Sequence, residues 1–403
     1  MPQNEPIPAP VSRRRVFYIP GFDPAPPRRY RELYRKEAKA QAAISGYAIE
    51  VGARHGKGPF GWSVTSIIDG HEVRTDFEVL VWSDIVRASM GGGVISTYLQ
   101  MLRTAWIYVS TGALFRLMRL RKGPVIAALY PIVVLLAELA VASLVAVGVG
   151  VGAGLVFPAP VGWIIGAGVT MLILRLFQRF DRFIFAYYLM QDYAFTAQLG
   201  GAYPSTLEQR LAMFRGAIAE ALLGDCDEVL VVGHSSGAHL AVSVLADILR
   251  DRSVIVPLGF LSLGQVVPMV SFLPTAYRLR NDLHFLSAHD GLTWVDLAAP
   301  GDGCAFALCD PVAVSGVAAA GKRWPLVISA AFTQTLSPAR WKALRWRFFR
   351  LHFQYLCAFD RPGEYDYFRI TAGPQTLSAR FAGRAASKSR IERPTSGFTS
   401  RAA

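Results

Sequence analysis

From Pro124 to Leu174 the chain carries one formally charged side chain, Glu138. Roughly 20 apolar residues cross a bilayer as a helix, so this stretch is long enough for two passes. Gly148, Gly150, Gly152 and Gly154, then Pro158 and Pro160, punctuate its middle. The pattern predicts a helical hairpin with passes near 125–148 and 155–175, in which Gly162 and Gly166 let the two helices approach closely. Arg116, Arg119, Arg121 and Lys122 precede the hairpin, and Arg175, Arg179 and Arg182 follow it. Basic residues at both ends place both on the cytoplasmic side, with the remaining chain and its termini. A re-entrant hairpin and a buried core hairpin are the alternatives. Glu138 is costly at mid-membrane, so it should pair with a polar group of the other helix or stay protonated.

Residues 95–120 interleave apolar and aromatic side chains with Arg103, Arg116, Arg119 and Arg121. That suits a helix lying in the membrane interface ahead of the hairpin. Phe177, Phe180, Phe183, Phe185, Tyr187 and Tyr188 follow it, as an interfacial belt or as one face of a packed helix. The net charge of +13 suits an anionic partner, and the apolar segment favours an anionic bilayer over nucleic acid, for which no recognisable module is present. Cys226, Cys304, Cys309 and Cys357 show no metal-binding spacing and fit reduced thiols facing a cytosol. Residues 1–15 are polar, Pro-rich and basic, so no secretory signal is expected there.

The second constraint is local. Asp227-Glu228-Val229-Leu230-Val231-Val232 reads as a strand, Gly233-His234-Ser235-Ser236-Gly237 as a sharp turn, and the residues to about 250 as a helix. A serine between glycines in that setting is a nucleophile elbow, the glycines relieving crowding around Ser235. The bland alternative is a Gly/Ser turn capping the helix with Ser235 or Ser236. Elsewhere Arg15–Ile19 reads as a strand leading into Pro20-Gly21-Phe22-Asp23, and a basic helix over about 27–44 follows. Tyr47–Val51, Trp62–Ile68 and Phe77–Trp82 read as strands, Leu207–Leu223 as a helix, Val254–Leu263 and Leu292–Ala299 as strands, and 338–350 as a helix. Strands alternating with helices predict an α/β fold with a mainly parallel sheet covered on both faces. The expected divisions are 1–94 and 196–375 for the two parts of one soluble domain, 95–195 for the membrane insert, and 376–403 for a basic, disordered tail.

The elbow at Gly233–Gly237 and the strand–loop Val16–Asp23 resemble the α/β-hydrolase superfamily. The resemblance implies a triad in the chain order serine, acid, histidine. Ser235 would be the nucleophile. Of the seven histidines, His352 lies late enough to follow the acid, with His289 beside Asp282 as the alternative. Asp302, in the Pro-Gly turn after the strand ending at Ala299, is the implied acid; Asp296 and Asp310 are the alternatives. The two oxyanion donors would be the Ser236 and Phe22 N–H groups, although Pro20-Gly21 stands where the superfamily usually has His-Gly. Asp23 would brace the loop.

Other motifs fail. Gly52–Lys57 is one residue short of a phosphate loop, and Gly58 stands where Ser or Thr should bind magnesium. No histidine–carboxylate spacing supports zinc, and no cofactor or metal is expected. The expected function is a membrane-anchored serine esterase or lipase acting on a lipid-like ester. An acyltransferase using the same residues and an inactive hydrolase-fold scaffold are the alternatives.

Overall fold

The computed structural model describes residues 9–54, 58–251 and 254–402. His55, Gly56 and Lys57 of the rejected phosphate-loop match lie outside the described residues. Eight strands form one sheet: β1 (Arg13–Ile19), β2 (Ala48–Ala53), β3 (Gly61–Ile68), β4 (His71–Val79), β5 (Glu228–His234), β6 (Leu258–Leu263), β7 (Thr293–Ala298) and β8 (Leu326–Ser329). Their order is β2-β3-β4-β1-β5-β6-β7-β8. Only β3 runs against its neighbours; the pairs from β4 through β8 are all parallel. The chain is therefore α/β, with a mostly parallel sheet flanked by helices.

The elbow strand shows why helices cover both faces. Successive side chains of a strand point to opposite faces. Val229 and Val231 enter one hydrophobic cluster with helices Ser205–Ala221, Gly237–Asp251 and Tyr277–Ser287. Leu230 and Val232 enter the other, with helix Arg28–Ser45 and the segment from Leu351 to Phe381. Every residue of β5 is buried, as its continuous apolar run requires. From β1 the chain continues to β2, β3 and β4 on one side of the sheet; from β5 it steps to β6, β7 and β8 on the other. The carboxyl ends of β1 and β5 therefore flank a topological switch point, where sheets of this kind open a crevice.

Two helices are long and apolar enough to cross a membrane: Lys122–Gly154, and Pro160–Arg179 within the helix that begins at Ala159. The glycine run near 150, read as a break, is helical; the turn falls at 155–158. The glycines act between the helices instead. A Cβ at Gly162 would lie 2.5 Å from the Gly150 carbonyl oxygen, and one at Gly166 would lie 3.0 Å from that of Ala146. Only side-chain-free residues permit this approach. The lower half of the first helix packs against Val94–Ser110 and Ala186–Ala197, joining Met101, Leu135, Tyr187 and Met190 in one cluster. Tyr98 donates to the Leu135 carbonyl at 2.8 Å. Leu144, Val151, Trp163 and Ile164 remain exposed along the hairpin, as do Ile95, Leu99, Leu102 and Trp106 on the outer face of Val94–Ser110. Glu138 turns inward and is buried, and its Oε2 has no partner among the described residues.

Further expectations differ in detail: the strand expected at Phe77–Trp82 spans His71–Val79, and the helix expected at 338–350 is two, Pro338–Leu344 and Phe348–His352. The 95–120 helix is two, Val94–Ser110 and Ala113–Met118, broken at Gly112 with φ of 70°. β8 escaped the sequence reading because four residues give too little periodicity. The tail is not a disordered chain. Ser387 donates to the Val327 carbonyl at 2.8 Å, Ile391 to Leu308 at 2.7 Å, and Thr395 and Ser396 to Val314 at 2.9 and 3.0 Å. Arg280 reaches the Ser400 carbonyl at 2.6 Å. Main-chain hydrogen bonds of this kind leave no mark in composition.

Candidate functional site

The site gathers loops at the carboxyl ends of four adjacent parallel strands: β1 into Gly21-Phe22, β5 into Ser235, β6 into Gly264, and β7 into Asp302. Ser235 has φ of 56°, a left-handed conformation that a side chain adopts only under constraint. The constraint is steric. A Cβ at Gly233 would lie 2.8 Å from Ala238 Cα, and one at Gly237 would lie 2.1 Å from the Ile19 carbonyl oxygen. Neither glycine tolerates a side chain, so the strand meets the helix at a fixed, tight angle. Gly21 closes over the turn, where a Cβ would lie 2.9 Å from Ser235 Cβ. Ser235 N–H donates to the Leu263 carbonyl at 2.9 Å, tying the elbow to β6. The Ser235 side chain is part-exposed and makes no hydrogen bond to protein among the described residues.

His352 ends the short helix Phe348–His352, and its Nδ1 lies 2.7 Å from Asp302 Oδ2. The same oxygen accepts from the Tyr355 hydroxyl at 3.0 Å, while Oδ1 accepts from Cys304 N–H at 2.9 Å. Burial would raise the Asp302 pKa. The opposing His352 charge and these hydrogen bonds outweigh it and hold the carboxyl below its ordinary range. An ionised Asp302 fixes the proton of His352 on Nδ1. The other ring nitrogen, Nε2, is buried and has no partner among the described residues. Two contacts lodge the ring beside the elbow. His234 Nε2–H donates to the His352 carbonyl at 3.0 Å, and the two imidazoles lie 4.8 Å apart between centroids. Burial pushes His234 down to about 3, so it is a neutral donor. Gly264, with φ of 52°, gives the ring its seat, because a Cβ there would lie 3.1 Å from His352 Cε1.

The backbone N–H groups of Phe22 and Ser236 have no acceptor among the described residues. Both residues line one narrow cleft. Phe22 is held from two directions: its carbonyl accepts from the Tyr188 hydroxyl, and Asp23 accepts from Ala25 N–H and the Tyr30 hydroxyl, each at 2.8 Å. Asp23 thus braces the loop.

The alternatives for the acid lie elsewhere. Asp296, inside β7, accepts from Ser262 Oγ at 2.6 Å and is pushed up to about 7 by burial. Asp310 caps helix Pro311–Val314 and pairs with Lys322. His289 accepts from Gly291 N–H at 3.0 Å, while Asp282 pairs with Arg250 at 2.6 Å, so those two residues do not pair.

Tyr355, Gly264 and Tyr188 were missed in the sequence. Tyr355 lies three residues after His352, a helical spacing that could have flagged it. The approach of Cys304 to Asp302 and His352 was also unforeseen; their ligand atoms lie within 4.8 Å of one another. Asp302 and His352 share a hydrogen bond, and burial raises the Cys304 thiol beside them well above its ordinary value.

Compared with family models, curated proteins and solved structures, the chain matches none.

Proposed function

We propose that this protein is a membrane-anchored serine hydrolase of the α/β-hydrolase type that cleaves a carboxylic ester through an acyl-enzyme. The observation that carries the reading is the Asp302–His352 pair, with Nε2 unclaimed, lodged against an elbow that holds Ser235 at positive φ. In this reading Ser235 Oγ attacks the acyl carbonyl carbon and His352 Nε2 takes its proton. Asp302 stabilises the imidazolium that forms. The carbonyl π pair moves onto oxygen, and the unpaired Phe22 and Ser236 N–H groups supply the donors for that charge. Collapse expels the alcohol, which takes its proton from His352. Water then repeats the sequence and frees Ser235. The absence of a Ser235–His352 hydrogen bond fits a resting site, because catalytic hydrogen bonds often tighten only with substrate bound.

The substrate class follows from placement. The exposed apolar surfaces of the hairpin and of Val94–Ser110 favour a bilayer, and the exposed Arg119 and Lys122 ahead of it favour an anionic leaflet. A lipid-like ester is the natural substrate in that setting, with both termini cytoplasmic. The test is trapping. Acid quench of the full-length protein during turnover of a lipid ester should leave the acyl group on the peptide containing Ser235. Turnover that persists in a folded Ser235→Ala variant would remove this mechanism.

A further inference from the structure

Helix Ala186–Ala197 follows the hairpin closely and has two working faces. Tyr187, Met190 and Ala194 pack on the hairpin with Leu135. Tyr188, Asp192 and Phe195, spaced four and three apart, share another face. Tyr188 bonds the Phe22 carbonyl, and Phe195 packs on Phe22 and Trp82 with ring centroids at 5.6 and 6.1 Å. Between them Asp192 lines the cleft that Phe22 and Ser236 also line. The other walls include Trp82, Phe195, Leu207 and Val270, so Asp192 is the only carboxylate in a largely apolar lining. It makes no hydrogen bond to protein among the described residues. Burial pushes its pKa up to about 7, and the His352 charge opposes the rise. Asp192 is half-buried, so its carboxylate is open to a hydrogen-bond donor that enters the cleft.

We propose that Asp192 contacts the substrate, accepting a hydrogen bond from a donor group, a hydroxyl or an ammonium, carried by the ester close to its acyl carbonyl. This rests on the hydrolase reading, in which Phe22 and Ser236, two residues that line the same cleft, supply the N–H groups that define where that carbonyl sits. The donor group lies on the cleft side of the carbonyl, and Asp192 selects for it. It is a specificity residue and takes no part in proton transfer to Ser235.

The test measures how well three esters of one fatty acid protect Ser235 from a fluorophosphonate probe: the ethyl, 2-hydroxyethyl and 2-(dimethylamino)ethyl esters. The protein is full length in detergent, as native chain, Asp192→Leu and Asp192→Asn, each checked for folding by thermal melt. One of the two donor-bearing esters should protect native protein at roughly tenfold lower concentration than the ethyl ester, the size of one well-placed hydrogen bond. Asp192→Leu should abolish that preference. Asp192→Asn should keep it in part if the donor is the hydroxyl and lose it if the donor is the ammonium. Equal protection by all three esters in native protein, or an unchanged preference in a folded Asp192→Leu, overturns the proposal. If native Ser235 takes no probe, the hydrolase reading itself fails and this inference falls with it, an outcome distinct from labelling without selectivity.

Discussion

Replacing Asp302 with asparagine tests the proposed mechanism at its buried hinge. Asp302 is 2% exposed and accepts three donors: His352 Nδ1–H, the Tyr355 hydroxyl and Cys304 N–H. Asparagine offers one acceptor oxygen and one NH2 group. If the NH2 faces Cys304 N–H, two donors meet in a buried site, at about 1–3 kcal/mol. If it faces His352 instead, His352 Nδ1 must accept, and the Tyr355 hydroxyl, which already accepts from Ala299 N–H at 3.0 Å, loses the acceptor for its own proton. The first arrangement leaves two buried donors unmet and the second leaves one, so the second is the one expected. It moves the histidine proton to Nε2, the nitrogen that must act as base. By the triad template kcat should fall about 10⁴-fold while the fold survives with a loss of about 1–3 kcal/mol. Tyr355→Phe is the control: it removes one donor to Asp302 and the acceptor of Ala299 N–H but leaves the His352 bond, so a loss in kcat of about tenfold or less is expected. The assay is hydrolysis of a p-nitrophenyl ester in detergent, with a thermal melt on each sample. A folded Asp302→Asn whose kcat stays within about threefold of native would refute the reasoning.

Other perturbations reach different parts of the account. Gly237→Ala drives a Cβ to 2.1 Å from the Ile19 oxygen and should destabilise the protein by about 3 kcal/mol, read as a lower melting temperature; an unchanged melt would mean the elbow is not so tight. His234 and His239 are buried and pushed down to about 3, below their unfolded value. Their contribution is complete above about pH 6.5 and lost as pH falls toward 3, with a slope on the order of 1 kcal/mol per pH unit for each. His239→Asn should flatten denaturation midpoints measured across that range, and an equally steep curve would assign the loss elsewhere. Asp302 has the same sign at lower pH: its stabilisation is complete above its unfolded value near 3.9 and disappears as pH falls through its lowered folded value. At the hairpin turn, Leu155→Cys should react with an impermeant thiol reagent only from the side opposite the termini, whereas reaction from the cytoplasmic side would indicate a re-entrant hairpin.

The two strongest sequence signals were also the most local. The apolar stretch and the strand–turn–helix elbow each announce themselves within a few tens of residues, because chain solvation and turn sterics act at that range. The juxtaposition of Asp302 with His352 was legible only through chain order, since they lie 50 positions apart and the chain between them carries no periodic sign of the contact. Tyr188 and Asp192 were hidden differently. Tyr188 closes a stretch read as an interfacial belt or as one face of a packed helix, Asp192 lies just beyond it, and only the packing of Tyr187, Met190 and Ala194 on the hairpin turns the other face toward the cleft. The tail was misread because its attachment is made by backbone groups, which every sequence possesses equally.

The most direct measurement of the central claim is fluorophosphonate labelling of membranes carrying the native chain, Ser235→Ala and His352→Ala. The account predicts labelling of the native chain on the peptide containing Ser235, none in Ser235→Ala, and near-complete loss in His352→Ala. A folded native protein that takes no label, or a Ser235→Ala variant labelled like the native chain, would contradict it.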